Sequence, residues 1–175
     1  MDAVERAAAL REYAEQTATC TKCALAAGRT QVVFGAGSPN ADLMFVGEAP
    51  GFHEDQQGIP FVGQAGKLLE KLLAGIGLAR SDVYIANVLM CRPPGNRDPV
   101  PDEISACEPH LFRKIELIEP TLVATLGNFS TKLLSGRPPA SRASTGSRRR
   151  SRSHPARCPS TRSTTRRPRS TRRRC

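Results

Sequence analysis

No run of apolar residues in this 175-residue sequence is long enough to cross a membrane, so neither a membrane span nor a membrane partner is expected. The opening segment, MDAVERAAALREYAEQ, is charged and helical in pattern, unlike a secretory signal, and a cytoplasmic protein is the expectation. Acidic residues are missing altogether after Glu119. The formal net charge of +10 is therefore unevenly spread. Met1–Ser135 carries 12 basic and 16 acidic residues, a net of −4, and the remaining 14 basic residues are all arginines between Arg137 and Arg174. The basicity belongs to that last segment and says little about the rest. Cysteines are few. In a reducing compartment, six of them read as metal ligands or free thiols rather than as a disulfide framework.

What is present is a single domain's worth of alternating pattern. Ala3–Gln16 predicts an amphipathic helix, with Val4, Ala7, Ala8 and Tyr13 among its less polar positions. Ala41–Val46 (ADLMFV), closed by Gly47, predicts a buried parallel strand. Gly66–Ile76 places leucines at 68, 69, 72 and 73, the spacing of one apolar helix face. Val83–Leu89 predicts a second strand and Pro93–Pro101 a proline-rich loop. Pro101–Ile118 predicts a helix, with Asp102 and Glu103 near its positive N-terminus. Thr121–Leu126 follows as a third strand, and Asn128–Leu134 begins another helix. This alternation implies an α/β layered domain with a largely parallel sheet, in which ligands bind beyond the carboxyl ends of strands. Two polar stretches, GEAPG from Gly47 and NVLMCRPPGNRD from Asn87, fall at those ends.

From Gly136 onward the chain is mostly Arg, Ser, Thr and Pro without hydrophobic period. Such a composition buries too little apolar surface to offset the entropy of ordering, so residues 136–175 predict a disordered tail. It also fits a GC-rich coding sequence read out of frame, and both origins stay open.

Cys20 and Cys23 form a C-x-x-C pair that brings two thiolates from a single turn, and Cys91 and Cys107 flank the proline-rich loop. Four thiolates suit a [4Fe–4S] cluster or a tetrahedral structural zinc. A redox dithiol shares the C-x-x-C spacing, and Cys91 and Cys107 fit equally well as ordinary buried thiols. Spacing alone does not separate these readings. Cys158 and Cys175 fall in the tail and are set aside.

Gly47–Asp55 (GEAPGFHED) bends just after a strand, which lets backbone N–H groups approach a ligand. Its carboxylates, Glu48, Glu54 and Asp55, offer a base that positions water for hydrolysis; a tight turn with solvated acids has the same pattern. Gly58–Gly66 (GIPFVGQAG) holds Phe61 in a glycine-bounded loop, where a ring either stacks on a planar base or anchors the loop in the core. Asn87 lies in the apolar strand VYIANVL, where a buried amide needs partners. Its donor and acceptor match the edge of a pyrimidine, and equally well the backbone groups around it. His53 reads as a solvent-exposed loop residue.

In order along the chain, CTKC, GEAPGFHED, GIPFVGQAG, NVLMCRPPGNRDPVPDEISAC and ATLGNFSTKLL resemble the motifs of family 4 uracil-DNA glycosylases, over about Cys20 to Pro138. The resemblance implies a three-layer α/β/α fold with a central, mostly parallel sheet, incomplete here at the C-terminus. It implies a structural [4Fe–4S] cluster on Cys20, Cys23, Cys91 and Cys107. The implied reaction is hydrolysis of the N-glycosidic bond of deoxyuridine, leaving an abasic site, on single- or double-stranded uracil-containing DNA and by a monomer. The base must leave the stack to be reached, at less cost in a U·G mismatch. Carried onto this chain, Phe61 stacks on the uracil and Asn87 reads its polar edge. Glu54 matches the water-activating acid and, with Asn87, forms the catalytic pair. Glu48, Ala49 and Gly51 line the pocket, with backbone amides near the uracil oxygens, where charge builds as the base departs.

Two features depart from the family pattern. Its late motif, a histidine followed by proline and a small residue, has no counterpart in a suitable place. Ser153–Ala156 (SHPA) comes too soon after SGRP and sits among arginines without a preceding apolar strand, so His154 receives no role. The Gly95–Asp98 loop contains no histidine, unlike the uracil-binding proteins that cross-link to DNA. Two other classes compete: a catalytically inactive iron–sulfur protein whose arginines attract DNA phosphates, and a zinc-stapled α/β protein unrelated to DNA.

Overall fold

The computed structural model describes residues 1–136; the predicted tail, its reading-frame question, the SHPA sequence, Cys158 and Cys175 lie outside the described residues. The first helix, α1 (Ala3–Thr17), opens on a reciprocal cap. The Asp2 carboxylate accepts the Val4 and Glu5 N–H groups, each at 2.8 Å, and the Glu5 carboxylate accepts the Asp2 N–H at 3.0 Å.

Four strands form the sheet: β1 (Ala36–Gly37), β2 (Leu43–Gly47), β3 (Tyr84–Asn87) and β4 (Leu122–Thr125), in the order β1-β3-β2-β4. β2 runs parallel to both β3 and β4, while β1 pairs antiparallel with β3. The three predicted strands are thus present and parallel, each somewhat shorter than its apolar run. β1 is an addition; two residues carry no alternation to read. β3 gives up its expected last residues because Val88 and Leu89 donate to the carbonyls of Gly47 and Glu48, both at 3.0 Å, tying the chain across the end of β2.

Alternation along the strands sorts the core into two faces. Met44, Val46, Tyr84 and Ala86 pack with Leu10 of α1 and with Leu111, Leu117 and Ile118 of α4 (Pro101–Ile118). Leu133 and Leu134 of α5 (Asn128–Ser135) join this side. Leu43, Phe45, Val83 and Ile85 pack on the opposite side with Leu69 and Leu73 of α3 (Gln64–Gly75). The result is the expected three-layer α/β/α arrangement.

Two local expectations need correction. The leucine face of α3 is only half used: Leu69 and Leu73 are buried, but Leu68 and Leu72 are 59% and 61% exposed, because the sheet meets a narrower stripe than the four leucines span. The segment after GEAPG is not a plain turn with solvated acids but a short helix, α2 (Phe52–Gln57), and Asp55 on it is buried. Its carboxylate accepts the Thr30 N–H at 3.0 and 3.2 Å. His53 is exposed as expected, but on this helix. No helix of the described residues is long and apolar enough to cross a membrane.

Candidate active site

β2 and β3 end level, with Gly47 opposite Asn87. A Cβ on Gly47 would lie 2.4 Å from Asn87 Oδ1 and 2.6 Å from both Cε2 and Cζ of Phe61. Glycine is therefore what allows an amide and an aromatic edge to converge on the end of β2. Asn87 is 2% exposed, and its Oδ1 has no hydrogen-bond partner among the described residues. A buried acceptor without a donor costs stability, on the order of 1–3 kcal/mol. A buried acceptor of this kind takes its donor from an ordered water or from a bound ligand.

Phe61 reaches this point through unusual backbone. Its φ is +55°, a left-handed value that a bulky residue rarely adopts. A Cβ on Gly66 would lie 1.8 Å from the Phe61 carbonyl oxygen, so only glycine lets α3 pass beneath the loop. Phe61 also packs against the cluster formed by Leu69, Leu73, Val83 and Ile85. The two roles weighed for this ring from sequence are thus compatible: one part anchors the loop, and another edges the strand ends.

Glu54 sits between the two loops. Its carboxylate accepts the N–H groups of Gly51 at 3.1 Å, Val62 at 2.9 Å and Gly63 at 2.8 Å. Burial pushes Glu54 upward, but the amides of Gly63, Val62 and Gly51 outweigh it and hold the carboxyl below the usual range. The Gly51 amide, expected to face a ligand, is thereby turned to Glu54. Ala49 is half-buried and packs against the core. Glu48 behaves oppositely to Glu54: burial and then the charge of Asp98 push its carboxyl up. A Cβ on Gly127, between β4 and α5, would stand 3.6 Å from Glu48 Oε2. The ends of three parallel strands therefore contribute, as expected for a ligand site in an open α/β sheet.

The profile of the uracil DNA glycosylase superfamily matches residues 34–174 of this chain. The chain belongs to this superfamily. It is 52% identical over 126 residues to the type-4 uracil-DNA glycosylase of Sulfurisphaera tokodaii, covering 71% of this chain and 57% of that one. To the type-4 uracil-DNA glycosylase of Archaeoglobus fulgidus it is 49% identical over 125 residues, covering 71% and 63%. That of Saccharolobus solfataricus is 52% identical over 122 residues, covering 69% and 56%. The aligned region thus spans about three fifths of these curated relatives.

A second group of candidate residues includes Cys91, four residues beyond Asn87 at the carboxyl end of β3. Cys20, Cys23, Cys91 and Cys107 are all free thiols, the last two buried. Burial pushes Cys91 up against the counter-pull of Arg29, and pushes Cys107 up to about 11. Both feel the nearby Cys23. Arg29 Nη1 stands 3.5 Å from Cys91 Sγ and donates to the Cys20 carbonyl at 2.5 Å. His110 Nε2 lies 3.7 Å from Cys20 Sγ, and its Nδ1 lies 2.6 Å from the Tyr13 hydroxyl. The donor chemistry, four unpaired thiols with cationic or polar neighbours, fits a thiolate-bound centre. Among the described residues, no three His, Cys, Asp or Glu side chains are gathered closely enough to hold a metal ion. A cleft of about 550 Å³ near Ala18, Arg29, Thr30 and Phe34 is lined by none of the predicted site residues.

Sequence reasoning missed Arg29, His110, Gly127 and Arg80, whose guanidinium bonds the Phe61 carbonyl. Gly127 lies within the ATLGNFSTKLL motif but carried no assigned role there, and the other three belong to no local pattern; each makes its contact across the fold.

Proposed function

We propose that this chain is a uracil-DNA glycosylase: it hydrolyses the N-glycosidic bond of deoxyuridine in DNA, releasing uracil and leaving an abasic site. The observation that carries the reading is the convergence of Asn87 Oδ1, buried and unpartnered, with the Phe61 ring on Gly47. A flipped uracil offers a planar face for Phe61 and an imide N–H for the waiting amide oxygen. A methyl-free pyrimidine suits a site closed so tightly on the end of β2. The departing base gathers negative charge, so groups aimed at its polar edge act mainly in the transition state.

The carboxylates divide the remaining work. Glu54 is the residue assigned to water activation, and its ionised state suits a base; its amide contacts also make it the tie between the pocket loops. Glu48, Ala49 and Gly51, which follow β2, are the residues this reading gives to the pocket wall. Cys20, Cys23, Cys91 and Cys107 are the residues that would hold a [4Fe–4S] cluster, which supplies a structural cross-link between the N-terminal segment and the proline-rich loop. The protein acts as a cytoplasmic monomer on single- or double-stranded uracil-containing DNA.

The test is uracil release from a labelled U·G duplex and the matching single strand, with Asn87→Ala as control. Release that disappears in Asn87→Ala supports the reading. No release by a folded, iron-loaded chain, with DNA binding retained, overturns it in favour of a binding protein.

A further inference from the structure

The Phe61 loop is held from two sides. Arg80, in the turn Arg80–Asp82 leading toward β3, donates from Nη1 to the Phe61 carbonyl at 2.7 Å and from Nη2 to the Pro60 carbonyl. Glu70 of α3 meets the same guanidinium at 3.4 Å. On the other side, Glu54 accepts the Val62 and Gly63 N–H groups. Polar atoms of four consecutive residues, 60 to 63, are thus fixed by two side chains of opposite charge.

The grip of Arg80 is tied to the backbone of Phe61. In extended chain, successive carbonyls point opposite ways; across a residue in the left-handed region they turn to the same side. At a φ of +55°, Phe61 brings its own carbonyl and that of Pro60 within reach of a single planar fork. A guanidinium presents several N–H groups in one plane and serves both acceptors at once, which a lysine ammonium does less well. A bulky residue keeps left-handed backbone only where its surroundings enforce it.

We infer that Arg80 is a positioning residue that holds Phe61 in its left-handed conformation and so keeps the ring against Gly47 and Asn87. Its functional consequence rests on the uracil-excision reading; its structural consequence does not. Losing the grip lets Phe61 relax toward extended backbone and swing its ring off the end of β2. The result is a pocket that still forms but no longer sandwiches a base.

The experiment uses the full chain with 4-fluorophenylalanine at its six phenylalanines, the Phe61 signal being assigned with Phe61→Leu. In Arg80→Ala the Phe61 fluorine resonance is expected to shift and broaden, while those of Phe34 and Phe112, on the other side of the sheet and on α4, stay in place. Arg80→Lys is expected to restore it only in part, and serves the same comparison if Arg80→Ala melts too low to study. In the activity arm, kcat/KM for uracil release falls about tenfold or more in Arg80→Ala. In a Phe61→Ala background the same change has little further effect. An unmoved Phe61 resonance, or losses that multiply in the double variant, overturns the inference. A wild-type chain that releases no uracil sinks the excision reading, and the fluorine resonance still decides the clamp.

Discussion

At the scale of single residues, the proposed role of Asn87 rests on how its amide is placed. A core amide normally satisfies both ends of its side chain; this one leaves Oδ1 buried without a donor among the described residues. Removing it should relieve a cost rather than create one. Asn87→Ala is therefore expected to change unfolding stability by no more than about 1 kcal/mol in denaturant titration, while uracil release drops by about a hundredfold or more. Glu54 and Glu48 make a contrasting pair four positions after and immediately before the turn. Glu54 is held below the ordinary value of 4.5, so its contribution to stability is present above that pH and is lost as pH falls through the depressed folded value. Glu48 is held above 4.5, so its contribution is fully present below that pH and is lost as pH rises through the raised folded value. Melting temperatures across pH should show Glu54→Gln destabilising the protein at neutral pH. Glu48→Gln should stabilise it there and be without effect well below pH 4.5.

Elements bring these residues together through two close approaches. β2 comes near the Phe61 ring and the Asn87 side chain at Gly47, and α3 comes near the Phe61 backbone at Gly66. Neither helix nor strand propensity asks for glycine at these places; the crossing of elements does. A methyl group at Gly66 would meet a carbonyl oxygen and its carbon, 1.8 and 2.2 Å away, with no flexible side-chain end to yield. Gly66→Ala is expected to lower stability by about 1–3 kcal/mol and to displace the Phe61 loop, measured by chemical denaturation alongside uracil binding. α4 is anchored differently. Glu103 accepts the Val100 N–H at 3.1 Å and pairs with Arg97 at 2.5 Å, so the proline-rich loop and the helix that carries Cys107 are joined at one carboxylate.

For the molecule as a whole, the thiol group and the strand-end site lie on segments that follow one another: β3 carries Asn87, and Cys91 comes four residues later. A centre that fixes Cys91 and Cys107 to the segment of Cys20 and Cys23 would therefore steady the route by which Asn87 enters the pocket. If the centre is a [4Fe–4S] cluster, the purified protein is brown and carries about four irons per chain, and Cys23→Ala or Cys107→Ala loses both colour and iron. A colourless protein with about one zinc per chain would assign the thiols to a structural zinc instead. If the thiols share such a centre, melting temperature should fall in either variant, because the remaining thiols then lose the partner that would hold their segments together.

The alternating apolar runs determined the order of strands and helices, and the capping and proline signals located α4 almost to the residue. That Glu48, Glu54, Phe61 and Asn87 would lie around the ends of parallel strands was also legible, since glycine-bounded turns after apolar strands mark the ends where α/β sheets bind ligands. Those signals operate within a few residues of one another. Only the tertiary structure decided which acid is buried, as with Asp55 bonding Thr30, 25 residues away. It alone decided that Glu54 gathers amides from two loops, that half of the α3 leucines face outward, and that Arg80 reaches a carbonyl 19 residues earlier. The reason is geometric: local pattern sets which face of an element is apolar, but the pairing of the sheet sets which distant side chains that face brings within hydrogen-bonding distance.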